Sequence, residues 1–186
     1  MKTAVMGAVL AVLAMGGVAG WAGGAVPAAE EFTVKDVAPF LYCSLPCKGP
    51  FTSMQQNIEL LFYSMTSQSL APLGPMLGVY YNDPETTKAE NLKWEIGFPV
   101  SETNVLEPLV LKQWTFTTVV EALHIGPYET SSAKYAEIMA WIEANGYSVA
   151  GPIMEKYLSD PNSTRPEDLK TEIWVPVTKT EGRGRP

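Results

Sequence analysis

Five residues stand out for the chemistry they could do together. Glu95 and Glu172 occupy matching places in two similar stretches, and so do Tyr80 and Tyr157. Trp174 follows Glu172 by two residues. Side chains two apart share one face of a strand. A sheet face carrying Glu95, Glu172, Trp174, Tyr80 and Tyr157 would be an anionic centre with aromatic walls. That composition suits an organic cation, held by cation–π and Coulomb attraction. Its ordinary counterpart is the wet face of a half-covered sheet. A second chemistry is hydrolytic, with Glu172 as general base on water and Tyr157 as proton donor or orienter. It requires a carboxyl group raised by apolar surroundings, which Trp174 would supply.

Two other groups are candidates of a different kind. Cys43 and Cys47 lie four apart around Leu45-Pro46. In an oxidising compartment a local disulfide between them is the first expectation, ahead of two free thiols and of redox or metal chemistry. The spacing is not Cys-x-x-Cys, and the one histidine, His124, is remote in sequence. No metal site and no cofactor are expected. His124, next to Gly126-Pro127, reads as a structural hydrogen-bonding group.

The elements that position these residues are written twice. Gly74-Pro75 returns 77 positions later as Gly151-Pro152, Asp83-Pro84 as Asp160-Pro161, Glu95-Ile96 as Glu172-Ile173, and Pro99-Val100 as Pro176-Val177. In the second copy, Thr115 to Leu123 reads as a strand, rich in β-branched residues. Tyr135, Ile138, Met139 and Ile142 follow at helical spacing, and Asn145-Gly146 stops the helix. Ile153 to Leu158 and Lys170 to Val177 are strands. In the first copy the helical face is Ile58, Leu61, Phe62 and Met65. Its strands are Phe40 to Cys43, Leu77 to Tyr81 and Lys93 to Val100. The unit is β-α-β-β, with repeat one at about 38–100, repeat two at about 115–177, and a connector over 101–112. The expected fold is α+β: one curved antiparallel sheet, two helices on one face, and a groove at the pseudo-twofold seam. Neither copy could bury enough apolar surface alone. Alternation puts Ile173, Val175, Ile96 and Phe98 under the helices and Glu172, Trp174, Glu95 and Gly97 on the other face. Gly97 stands where Trp174 stands, which would leave room there and leave Glu95 open to water.

Residues 1–28 carry a signal-peptide pattern: Lys2, an uncharged apolar run from Thr3 to Gly24, and Val26-Pro27-Ala28 as a small-residue cleavage site. An uncleaved anchor is the alternative, and the only expected membrane contact. Export makes the protein periplasmic or secreted. The expected domain is 29–178, with a flexible tail at 179–186. The chain has a formal charge of −7. Removing Lys2 leaves 12 basic against 20 acidic side chains, or −8. This argues against a nucleic-acid partner, which requires a basic face.

Gly126-Pro127-Tyr128-Glu129, Trp141-Ile142-Glu143, Asn145-Gly146-Tyr147, Ala150-Gly151-Pro152, Tyr157-Leu158-Ser159-Asp160-Pro161 and Thr171-Glu172-Ile173-Trp174-Val175-Pro176-Val177 together resemble GyrI-like small-molecule-binding domains. These are effector-binding domains of many AraC- and MerR-type regulators. The first half joins through Val79-Tyr80-Tyr81-Asn82-Asp83-Pro84 and Leu92-Lys93-Trp94-Glu95. The resemblance implies a duplicated β-α-β-β fold with a ligand groove at the seam, and a carboxylate matching Glu172 in that groove among aromatic residues. Some stand-alone members are credited with hydrolysing cyclopropane-bearing toxins through that Glu and a nearby Tyr. SOUL haem-binding proteins share the fold type. No helix-turn-helix precedes the domain, and export would place gyrase out of reach. The leading expectation is therefore an exported module that captures a small organic ligand, hydrophobic and cationic in character. The alternatives are a hydrolase, a tetrapyrrole binder, and a protein-interaction module.

Overall fold

The computed structural model describes residues 32–180. The expected signal segment, 1–28, lies outside the described residues, as do 181–186. In chain order the elements are β1 (Phe32–Asp36), β2 (Phe40–Lys48), α1 (Met54–Ser67), β3 (Leu77–Tyr80), β4 (Lys93–Pro99), β5 (Val110–Trp114), β6 (Thr118–Ile125), α2 (Ser131–Ala144), β7 (Tyr147–Val149), β8 (Ile153–Tyr157) and β9 (Lys170–Lys179). The strands form one curved, unclosed antiparallel sheet in the order β1-β6-β9-β8-β3-β4-β2-β5, with β7 added to the end of β9. Both helices lie on one face. The expected α+β architecture is the one observed.

The sheet order is a palindrome under the repeat. β2 corresponds to β6, β3 to β8 and β4 to β9, so the two copies meet where β3 pairs with β8. Gly78 is the partner of Glu155 there, and these two are one another's equivalents 77 residues apart. The pseudo-twofold axis therefore passes between Gly78 and Glu155.

The repeat extends further than its shared residues suggest. β1 pairs with β6 at one edge, and β5 pairs with β2 at the other. Shifted by 77, β5 falls on residues 33–37, so it is the second copy's version of β1. The connector expected over 101–112 thus ends in a strand. The unit is β-β-α-β-β. Between the two strands only Lys35 and Lys112 are identical, too little for a register to be seen. Of the tail expected over 179–186, only residues 179 and 180 are described, and both are held. Lys179 pairs with Tyr147 in β7, and the Thr180 N–H donates to the Gly146 carbonyl at 2.9 Å.

Two apolar layers lie under the helices. Leu61 and Met65 of α1 pack on Cys43, Leu45, Trp94, Ile96 and Phe98. Ile138 and Ile142 of α2 pack on Val120, Ala122, Ile173, Val175 and Val177. This is the expected assignment of Ile96, Phe98, Ile173 and Val175. Phe62 departs from it. It is 50% exposed and rests its ring on Phe98 at 5.5 Å. The opposite, concave face holds a third layer, centred on Tyr42, Leu77, Val79, Trp114, Met154 and Trp174.

The expected Cys43–Cys47 disulfide is corrected: both cysteines are free thiols. They lie on one strand, β2, on the same face. Four residues of extended chain separate their Cα atoms by about 13 Å, against the roughly 4.4–6.8 Å that a disulfide spans. Pro46, between them, lies past the stretch of β2 that β5 covers. An edge position tolerates its missing N–H.

Two predictions follow from this packing. Ile96 and Ile173 are repeat equivalents with no exposed surface. Ile96→Ala and Ile173→Ala should each lower the unfolding free energy by about 2–5 kcal/mol in urea titrations; a loss below about 1 kcal/mol at either position would contradict the symmetric core. The second concerns thiol reactivity. Burial, and then the charge of Glu95, push the Cys47 thiol up to about 11. Only the thiolate reacts. Native protein should therefore alkylate slowly at Cys47 at neutral pH, with a rate that climbs about tenfold per pH unit until pH approaches that value. Cys43, fully buried, should react only after unfolding. Peptide mapping of the labelled protein checks both.

Candidate functional site

The seam between the helices is built from four pairs of equivalent positions, and in every pair the chemistry differs. Copy one contributes Phe51, Ile58, Gly78 and Trp94. Copy two contributes Tyr128, Tyr135, Glu155 and Thr171 at the same places in the repeat. The backbone is close to symmetric. Phe51 meets Tyr80 edge-on with centroids 5.6 Å apart at 89°, and Tyr128 meets Tyr157 at 5.5 Å and 83°. One half of the seam is apolar and the other polar.

A chain of hydroxyls crosses the axis. Tyr80 and Tyr157, themselves repeat equivalents, bring their oxygens to 2.6 Å. Tyr157 donates its one proton to Glu155 Oε2 at 2.7 Å, so Tyr80 is the donor to Tyr157. Tyr135, reaching down from α2, donates to Glu155 Oε1. Glu155 is only 8% exposed. Burial is the first cause holding the Tyr80, Tyr135 and Tyr157 hydroxyls well above the usual phenol range, and the nearby Glu155 charge adds to it. All three therefore act as hydrogen-bond donors at neutral pH. Gly78 makes the cluster possible: a Cβ there would lie 2.9 Å from both the Tyr80 and the Tyr157 hydroxyl oxygens. Thr171, register partner of both Tyr157 and His124, is 1% exposed, and its Oγ1 has no hydrogen-bond partner. His124 Nε2 lies 3.1 Å from the Pro127 carbonyl and 3.3 Å from Thr130 Oγ1. It closes the turn from β6 towards α2.

The five residues expected to share one face are divided between two. Tyr157 pairs with Thr171, and Tyr80 with Trp94, which puts both tyrosines on the helix side. Glu95, Glu172 and Trp174 are on the concave side. The hydrolytic pair of Glu172 and Tyr157 is therefore not assembled, because the sheet separates them. On the concave side Glu172 is already neutralised. Lys156 donates to its Oε1 at 3.2 Å and holds its ammonium 3.1 Å from the centre of the Trp174 ring. The cation expected over that indole is the protein's own. Trp174 Nε1 donates to Glu121 at 3.0 Å, and Glu121 also receives Lys35 at 2.6 Å.

Glu95 is not open to water. It is 1% exposed and accepts from Tyr42 and Tyr81 at 2.8 Å each, from Ser44 at 3.3 Å, and from Lys112. These donors come from β2, from β5 and from the end of β3, so the carboxylate ties three strands to β4. Gly97 leaves no vacancy either: a Cβ there would lie 2.0 Å from the Cys43 carbonyl oxygen. It is glycine because the β2 backbone presses on it. Among the described residues no group of three or more His, Cys, Asp or Glu is placed to hold a metal.

The residues missed from sequence are Glu155, Tyr128, Tyr135, Phe51 and Thr171. The signal for Glu155 was available. It is the equivalent of Gly78 in strands two residues from the matched tyrosines, so a charge stood opposite a glycine at one point of an otherwise matched pattern.

Comparison with known proteins places this geometry. The family model for the GyrI-like small molecule binding domain matches residues 30–178. A DNA gyrase inhibitor from Erwinia billingiae (strain Eb661) is 30% identical over 119 residues, 59% of this chain and 73% of that protein. The C-terminal domain of EcmrR superposes with a TM-score of 0.69 at 22% identity, over 80% of this chain and 98% of that one. In the complex of EcmrR with DNA the TM-score is 0.72 at 21% identity, and this chain, aligned over 80% of its length, spans 57% of that chain. SAV2435, solved bound to tetraphenylphosphonium, gives 0.54 at 16% identity, over 80% of this chain and 94% of that one. These structures share the fold. With the family match covering all but the last two described residues, this chain belongs to the GyrI-like small-molecule-binding domains.

Proposed function

We propose that the seam binds an amphipathic organic cation, with its apolar body on the first copy and its charged head towards Glu155 on the second. The observation that carries this is the split lining. Phe51, Ile58 and Trp94 face Tyr128, Tyr135 and Thr171 across an axis that holds a single buried carboxylate. An apolar ligand body gains roughly 25 cal/mol per Å² of surface removed from water. Phenol and indole faces add cation–π attraction. Glu155 supplies the Coulomb term where solvent screens it little. The fold relative bound to tetraphenylphosphonium makes that ion a suitable probe.

The proposal extends to location. Lys2, the uncharged run Thr3 to Gly24 and the Val26-Pro27-Ala28 site support export with loss of residues 1–28. Capture would then occur outside the cytoplasm. N-terminal sequencing of the protein recovered from a bacterial host should find Ala29 first in the periplasmic or secreted fraction. A cytoplasmic product starting at Met1 would reject this part.

The binding test is calorimetric titration with tetraphenylphosphonium. Losing an interaction with a charged group costs about 1.5–3 kcal/mol, which is roughly ten- to a hundredfold in affinity. Glu155→Gln keeps the size and shape of the side chain, removes its charge and turns one of its two accepting oxygens into a donor, and should weaken binding by that factor. Glu172→Gln, on the other face and paired with Lys156, should leave it within about twofold. Equal affinities for wild type and Glu155→Gln would place the ligand elsewhere.

A further inference from the structure

The concave face holds an open cleft of about 380 Å³ that the seam does not touch. Its walls come from both copies. Phe40 and Leu77 form the floor with Trp174, Pro75 and Pro99 form one side, and Leu73 stands at the rim, 65% exposed. In this apolar lining there is one cation, Lys156. From these residues we infer a second ligand site, independent of the seam, that takes a small aromatic carboxylate, with its ring laid against Phe40, Pro75 and the edge of Trp174 and its carboxylate on the Lys156 ammonium.

Three features point to this class. The first is size: the cleft is at the lower end of the range of about 300–1,000 Å³ typical of ligand pockets, so a two-ring molecule fits and a large one does not. The second is the unfilled capacity of Lys156. An ammonium has three donors. Here one reaches Glu172 at 3.2 Å, long for a charge-assisted bond, and the group also faces the Trp174 ring. Burial pulls the amine below its ordinary pKa, with Glu172 and Glu121 opposing, and an anion on its free donors would favour the charged form. The third is the surroundings of the ammonium. The charged groups that reach it are Glu172, Glu121 and Lys35, two of each sign when Lys156 is included, so the local field is balanced. The chain's net −7 is screened over about 8 Å at physiological ionic strength. An aromatic carboxylate gains burial of its ring, which a bare anion such as acetate does not. A neutral aromatic loses the charge.

The probe is 2-naphthoate, followed by calorimetry on the whole chain. Unmodified protein should bind it, and should bind the neutral isostere 2-naphthamide at least tenfold more weakly. Lys156→Met, which keeps an unbranched apolar stem and removes the ammonium, should weaken naphthoate at least tenfold and erase the difference between acid and amide. Lys156→Arg should preserve the preference for the acid. Glu155→Gln should leave naphthoate unchanged, and saturating tetraphenylphosphonium should not displace it. The acid–amide comparison needs no variant, so a fold defect in Lys156→Met would not obscure the result. No binding of naphthoate, equal binding of acid and amide, retention of affinity in Lys156→Met, or displacement by tetraphenylphosphonium would each overturn the assignment.

Discussion

The antiparallel pairing of β3 with β8 constrains everything else. Two equivalent strands pair about a twofold only by placing one position opposite its own counterpart, and here that position is Gly78 opposite Glu155. Directly opposed side chains on a pair of strands have Cβ atoms about 4.5–5.5 Å apart, and like charges there repel. Two glutamates at the axis would repel across a buried space. The pair Gly and Glu resolves this, since one copy supplies the charge and the other supplies the room. The tyrosine equivalents then fill that room, with their hydroxyls 2.6 Å apart. Once one charge lies on the axis, the seam is no longer symmetric, and the remaining positions have diverged to suit it. Tyr135 supports Glu155 while its equivalent, Ile58, is left apolar.

The same divergence governs the concave face. Glu95 and Glu172 are equivalents with different environments. Around Glu95 the donors Tyr42, Ser44, Tyr81 and Lys112 satisfy a nearly inaccessible carboxylate. At the places of Tyr42 and Ser44 the second copy has Val119 and Glu121, so Glu172 lacks those donors and stays partly exposed, paired with Lys156. Breaking a buried pair leaves an uncompensated charge, which typically costs about 3–5 kcal/mol. Glu95 is therefore an anchor between strands rather than a binding group. The more exposed Glu172–Lys156 pair is weakly held, which leaves it free to rearrange.

The repeat, both helices and the core faces of β4 and β9 were legible because they depend on local periodicity. Ile96, Phe98, Ile173 and Val175 fell under the helices as alternation required. What alternation does not give is the phase between neighbours. It groups Glu172 with Trp174 and, separately, Glu155 with Tyr157. Only the pairing register says that Tyr157 stands beside Thr171 rather than Glu172. One residue of slip reverses every side chain of a strand, and that is how the tyrosines were assigned to the wrong face. β1 and β5 were missed for another reason. They are edge strands, made by pairing rather than by composition, and share one lysine between copies. The Cys43–Cys47 pairing was not legible because closeness in sequence says nothing of the distance, and four residues of strand hold two thiols far apart.

The hydrogen bonds of Glu155 explain how a buried charge can be stable at the seam. A carboxylate has about four acceptor sites, and two phenol protons occupy two of them. That is enough for the empty seam not to contain a bare anion, whose desolvation would otherwise be costly. It also leaves lone pairs unused, on the same side of the sheet as Thr171, whose own hydroxyl is unpartnered. In the proposed binding mode a cation entering the seam would not have to displace a salt bridge, unlike one approaching Glu172, which would have to compete with Lys156. A bulky cation with no N–H to donate would gain from charge and from ring faces. Selectivity in such a site would come from shape and sign of charge rather than from hydrogen-bond matching, and a seam with one apolar and one polar half would fix the direction in which an amphipathic molecule lies.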